Sequence, residues 1–254
     1  SVQDLSLAYT PGVAEPSRQI AADPNKVFDY TNKGHLVAVI TNGTAVLGLG
    51  QIGALAAKPV MEGKAALFKR FAGLDAVDIE IAETNPQKLV EIIAAIAPSF
   101  GAINLEDIKA PECFYVEQQL IKRLSIPVFH DDQHGTAIVV AAGLANALKI
   151  TGKKINSIKL VLSGAGAAGI AVANFLLTLG LEKENLFVFD SRGLISADRH
   201  DLNQYKIKLA RPAGKISLTA TLQGADVFIG VSRANILAPA MIRSMAKQPI
   251  IFAM

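Results

Sequence analysis

The chain has 254 residues, enough for one to two domains with a large core and no need of staples. Hydrophobic residues make up 51% and charged residues 19%, which excludes disorder, and a net charge of +3 with no long basic run excludes a nucleic-acid footprint. The single cysteine, Cys113, excludes an intramolecular disulfide or a Cys-rich zinc site and fits a reducing, cytoplasmic setting.

No apolar run reaches the ~20 residues of a membrane span. The opening SVQDLSLAYTPG lacks the basic-then-apolar pattern of a signal peptide. From residue 36 onward, short β-branched runs alternate with longer amphipathic ones. The predicted strands are 36–41, 45–49, 76–81, 102–105 and 127–130, then 158–163, 186–190, 226–231 and 249–252. Helical patterns cover 86–96, 111–124, 136–150 and 168–179. This alternation predicts an α/β fold with parallel sheets and right-handed crossovers. A polar break at 152–156, GKKIN, follows a helix expected to bridge two domains. The division is placed at 132/133. It separates an N-terminal α/β substrate domain (1–132) from a C-terminal Rossmann-like dinucleotide-binding domain (133–254).

The pattern GxGxxG occurs twice. The second copy, Gly164-Ala-Gly166-Ala167-Ala168-Gly169, follows the strand pattern IKLVLS and opens a helix rich in small residues. The next strand ends in Asp190, 21 residues after Gly169. Glycines permit a tight turn and close approach to a pyrophosphate at a helix N-terminus, and the acid meets the ribose. Gly164, Gly166, Ala167, Ala168, Gly169 and Asp190 are therefore the expected cofactor residues. Asp190 favours NAD, whereas Arg192, two residues on, suits a 2′-phosphate; the choice stays open. The first copy, Gly48 to Gly53, runs into a segment with Pro59, which disturbs a helix interior, so it reads as structural or as part of a substrate site.

The strand pattern AINL ends in Glu106-Asp107 and IPVF ends in His130-Asp131-Asp132. As parallel strands of one sheet, these would aim four carboxylates at one edge, where a hard divalent cation could neutralise them. Asp131 or Asp132 could equally cap the helix expected near Gly135. His130 and His134 read as locally hydrogen-bonded or, less simply, as metal ligands. Tyr9 reads as a packing residue. Lys64, in an apolar run, either snorkels or, if desolvated, has a lowered pKa and serves as a base. Cys113 reads as a small buried hydrophobe.

The segments SLAYTPGVAEP, GTAVLGLGQIG, KPVMEGKAALFKRFAG, INLEDI, PVFHDDQHGTA and SGAGAAGIA together resemble the malic enzymes, in particular the bacterial short-subunit type, over nearly the whole chain. The resemblance implies NAD(P)-dependent oxidative decarboxylation of malate to pyruvate and CO₂ with Mg²⁺ or Mn²⁺, by a cytoplasmic homodimer that binds neither membrane nor nucleic acid. By position it implies Tyr9 as proton donor and a neutral Lys64 as general base. It further implies Asp131 as a neighbouring active-site acid and Glu106, Asp107 and Asp132 as metal ligands. It assigns the first glycine loop to the substrate domain. Asn42 and Gln51 depart from the residues common in the family. The resemblance also implies that family members begin before Ser1 and continue past Met254. Another two-domain dehydrogenase and a non-catalytic nucleotide-binding protein are the alternatives.

Overall fold

The computed structural model describes residues 1–46 and 48–254. Three short helices open the chain: α1 (Val2–Ala8), α2 (Ala14–Ala22) and α3 (Val27–Tyr30). None of the three contains a buried residue. The first half then runs β1 (Leu36–Thr41), α4 (Ala54–Leu67), β2 (Asp75–Glu80), α5 (Pro86–Ile96), β3 (Ala102–Leu105), α6 (Glu112–Arg123) and β4 (Val128–His130). The strands pair in parallel in the order β2-β1-β3-β4.

The 21-residue helix α7 (Asp131–Thr151) leads into the second half. There follow β5 (Leu160–Ser163), α8 (Ala167–Thr178), β6 (Leu186–Asp190), β7 (Gly193–Leu194), α9 (Gln204–Ile207), α10 (Leu218–Leu222), β8 (Val227–Gly230), α11 (Pro239–Arg243) and β9 (Ile250–Ala253). The sheet order is β7-β6-β5-β8-β9, with β6, β5, β8 and β9 parallel and β7 an antiparallel edge.

Local sequence explains these elements. In α5, Asn85 caps the helix by accepting from the Lys88 N–H at 3.0 Å, Pro86 occupies the first turn, and Leu89, Val90 and Ile93 form the buried stripe. In β5 the pleat sends Leu160 and Leu162 into one apolar cluster and Val161 into another on the opposite face. The larger cluster runs through both sheets, joining Ile40, Leu105, Leu120, Leu144, Leu162 and Leu176. Each such side chain contributes about 1.5–3 kcal/mol on burial.

Three expectations are corrected. The strand expected at 45–49 is absent among the described residues, where only a bridge joins Val46 and Gly50; Leu47 lies outside them. The segment with Pro59 is helical throughout α4. The N–H that Pro59 lacks would have met the carbonyl of Leu55, a residue 84% exposed, so water replaces the bond at little cost. The helix expected from residue 134 or 136 begins at Asp131 instead.

Candidate active site

β3 and β4 are parallel neighbours with Leu105 in register with His130. The residues that follow each strand, Glu106-Asp107 and Asp131-Asp132, therefore leave the same edge of the sheet. Asp107 turns the chain with a left-handed φ of 54°. Its carbonyl accepts from the N–H groups of Thr44 and Ala45 at 3.1 and 3.0 Å, and its own N–H donates to Asp132 Oδ2 at 2.9 Å. The segment after β1, which leads into the first glycine loop, is thus stitched to the acid pair. Lys109 N–H donates to Thr44 Oγ1 at 3.0 Å and extends the stitch.

Glu106 and Asp107 are buried, and the Asn104 amide donates to Glu106 Oε2 at 2.9 Å. Lys64 arrives from α4. Its Nζ lies 2.7 Å from Asp131 Oδ2 and 3.1 Å from Glu106 Oε2. Burial pushes the Lys64 ammonium down, but the Asp131 and Glu106 carboxylates outweigh it and hold the group above its ordinary value. With neither ion nor substrate beside it, Lys64 is therefore paired as well as desolvated, and the pairing favours its ammonium form.

Asp131 and Asp132 are not caps. The capping position is His130, whose side chain makes no capping bond, and both acids lie in the first turn of α7, where the helix dipole favours them. Gly135 leaves room for the Asp131 carboxylate, since a Cβ there would sit 2.3 Å from Asp131 Oδ1. Burial, with the charges of Glu106 and Asp107, pushes the Asp132 carboxyl up to about 7. Burial likewise raises Glu106, against Asn104 and Lys64. His130 is fully buried and pushed down to about 4, chiefly by burial; its Nε2 lies 3.6 Å from Asp132 Oδ2.

Among the described residues, no three carboxylate, imidazole or thiol groups form a ready-made ligand cage. The donor chemistry still fits a hard divalent cation. Carboxylates from two strand ends share one edge, and burial together with the charges of Glu106 and Asp107 raises Asp132. Tyr9 closes α1, is 73% exposed, and makes no side-chain hydrogen bond to any of these groups.

The second glycine loop lies where β5 meets α8. Gly164 has a φ of 122°, and a Cβ on it would press on the Val231 carbonyl at 2.7 Å; one on Gly169 would meet the Gly164 carbonyl at 1.9 Å. These two glycines serve turn and packing. A Cβ on Gly166 would meet nothing within 4 Å, at the N-terminus of α8. Gly164, Ala165 and Gly166 line a cleft of about 820 Å³ shared with Asp190, Ser191, Lys206 and Ser232, a cradle that suits a pyrophosphate, while Ala167, Ala168 and Gly169 stand behind it in the first turn of α8.

Asp190 is not free in this cleft. Arg199 forks onto it at 2.8 and 3.0 Å, and Lys206 reaches it at 2.7 Å. Burial raises the Asp190 carboxyl, but these cations overrule it and hold the group down at about 2. The side chain of Arg192 turns to Asp201 at 3.1 Å. Asn104, Glu117, Arg199 and Lys206 are polar groups of these sites that sequence reasoning passes over. Asn104 shares a strand face with Glu106, and Glu117 interrupts the apolar stripe of α6; both signals are visible in the sequence. Arg199 and Lys206 carry no local signal.

The family description "Malic enzyme, N-terminal domain" matches residues 1–90 and "Malic enzyme, NAD binding domain" matches residues 133–254. A crystal structure of an NAD-dependent malic enzyme from Thermotoga maritima superposes with a TM-score of 0.95 at 48% identity, covering 100% of this chain and 68% of that one. The chain belongs to the malic enzyme family. An NADP-dependent malic enzyme of Haemophilus influenzae is 57% identical over 99% of this chain, and an NAD-dependent malic enzyme of Rhizobium meliloti is 52% identical over 99%. The chain spans 34% and 33% of the length of these two malic enzymes.

Proposed function

We propose that this chain carries the substrate- and dinucleotide-binding core of a malic enzyme, acting in the cytoplasm as a homodimer. The reaction is oxidative decarboxylation of malate to pyruvate and CO₂ with reduction of NAD or NADP. The observation that carries it is Lys64 held between Glu106 and Asp131 at the edge of a parallel sheet, beside Asp107 and Asp132. Glu106, Asp107 and Asp132 would hold Mg²⁺ or Mn²⁺, which supplies Lewis-acid polarisation of the C2 oxygen. Gly164, Gly166, Ala167, Ala168, Gly169 and Asp190 would hold the dinucleotide, which supplies the hydride acceptor. The division between the two units is placed at 132/133.

Lys64 takes the C2 hydroxyl proton. It acts in its neutral form, reached by releasing its own proton to solvent, and leaves the step as an ammonium. The Asp131 carboxylate, 2.7 Å away, steadies that ammonium. Tyr9 returns a proton to C3 after CO₂ leaves. Helices α1 to α3 contain no fully buried residue, while Val2, Leu5 and Leu7 stand 67–84% exposed. That surface supports a second copy packing there and carrying Tyr9 to a site that one copy leaves incomplete.

The test is NAD and NADP reduction by the full-length protein. Malate is compared with glutamate and isocitrate, with Mn²⁺ and with a chelator. Malate- and Mn²⁺-dependent turnover is expected. Reduction driven by another substrate, or cofactor binding without turnover, overturns the reading.

A further inference from the structure

Glu117 lies on the buried face of α6 among Cys113, Phe114, Val116 and Leu120, its side chain only 6% exposed. A carboxylate so placed must be paired to be tolerated. Three donors meet it, all from the turn that opens α7. The His130 backbone N–H donates to Oε1 at 2.9 Å, the Gln133 amide to Oε2 at 3.2 Å, and His134 Nε2 lies 2.8 Å from Oε1. Between His130 and Gln133 stand Asp131 and Asp132. Helix α6 is the element that follows Glu106-Asp107. One buried side chain thereby bolts the helix after β3 to the helix after β4, at the point where the two acid pairs converge.

The donors need an acceptor, since the His130 N–H and the Gln133 amide are themselves buried, but all three come from the one turn that carries Asp131 and Asp132. We propose that Glu117 is a positioning residue for the divalent-cation site. It fixes where Asp131 and Asp132 stand relative to Glu106 and Asp107, without touching ion or substrate. This inference rests on the functional reading above.

The experiment uses full-length protein and three variants: Glu117→Gln, Glu117→Leu and His134→Phe. Mn²⁺ binding is measured by calorimetry without substrate. Thermal unfolding and the kcat and malate KM at saturating Mn²⁺ are measured beside it. Glu117→Gln and Glu117→Leu are expected to weaken Mn²⁺ about 10–100-fold, the range for residues that orient metal ligands. Glu117→Leu leaves the His130 N–H and Gln133 amide unpaired and is expected to melt lower, whereas Glu117→Gln keeps an acceptor there and is expected to weaken Mn²⁺ at nearly the parent melting temperature, a separation that a packing role does not produce. His134→Phe, at a half-exposed position that stays folded, is expected to weaken Mn²⁺ several-fold. Mn²⁺ affinities unchanged within twofold in the folded variants overturn the proposal. A parent protein that binds no Mn²⁺ overturns the functional reading itself, and the inference with it.

Discussion

The Asp107 backbone N–H donates to the Asp132 carboxylate at 2.9 Å, so the acids after two neighbouring strands are joined through main chain before any ion arrives. Both residues sit at the C-terminal edge of a parallel sheet, where open α/β folds bind ligands. The bond fixes one oxygen of Asp132, whose carboxyl is raised by burial and then by the charges of Glu106 and Asp107.

Replacing Asp132 by Asn removes that charge at constant size. Mn²⁺ affinity, measured by calorimetry, is expected to fall at least about tenfold, on the scale of direct ligand loss. Unchanged affinity removes Asp132 from the ligand set.

Lys64→Ala is expected to lower kcat by about 10²–10⁴-fold, the usual contribution of a positioned acid or base. Lys64→Arg keeps the positive charge between Glu106 and Asp131 but raises the pKa, so it is expected to fall nearly as far. An arginine variant with parent kcat shows that the charge matters and the proton does not.

The uncovered helices α1 to α3 make the role of Tyr9 a question of assembly. Tyr9→Phe and Lys64→Ala proteins are each expected to be inactive. If Tyr9 serves the partner's site, mixing and reassociating the two yields dimers with one intact site. About a quarter of parent activity is then expected from random pairing of two-fold dimers. No recovery in a mixture proven to exchange subunits overturns the cross-subunit arrangement.

Two glycines of the second loop are expected to separate packing from ligand binding. Gly169→Ala forces a Cβ to 1.9 Å from the Gly164 carbonyl and is expected to cost about 3 kcal/mol in unfolding experiments. Gly166→Ala meets open space, so the fold is expected to stay intact while dinucleotide affinity drops tenfold or more in a fluorescence titration. A Gly166→Ala protein with parent affinity shows that nothing approaches this backbone closely.

Asp190 predicts an acid limb of stability. Its folded pKa of about 2 lies below the ordinary carboxylate value of ~3.9, so its contribution is complete above about pH 4 and is lost as pH falls toward 2. Asp190→Asn is expected to unfold about 1–2 kcal/mol more easily at pH 7, with the gap to the parent closing between pH 4 and 2. A gap that does not change with pH assigns the loss to packing instead of charge.

Much of this architecture is legible in the sequence because parallel strands are short apolar runs with turn residues at their ends. The patterns 36–41, 102–105 and 186–190 coincide with β1, β3 and β6 residue for residue. Helix α4 is hidden because Pro59 signals a break that only exposure of the preceding turn excuses. The acid pairs are readable because each directly follows its strand. The charge state of Lys64 is not, since it depends on two carboxylates 42 and 67 residues away. The engagement of Asp190 by Arg199 and Lys206 is hidden for the same reason: one partner comes from the loop after β7 and the other from α9.

Helix α7 begins with Asp131 and Asp132, runs 21 residues to Thr151, and packs against α8 and against β9 of the second sheet. Its unbroken backbone is a rod with its tip among the acids and its shaft under the nucleotide-side sheet. The acids and the second sheet are thus joined by continuous helical backbone instead of a loop, so a displacement of either is carried into the other.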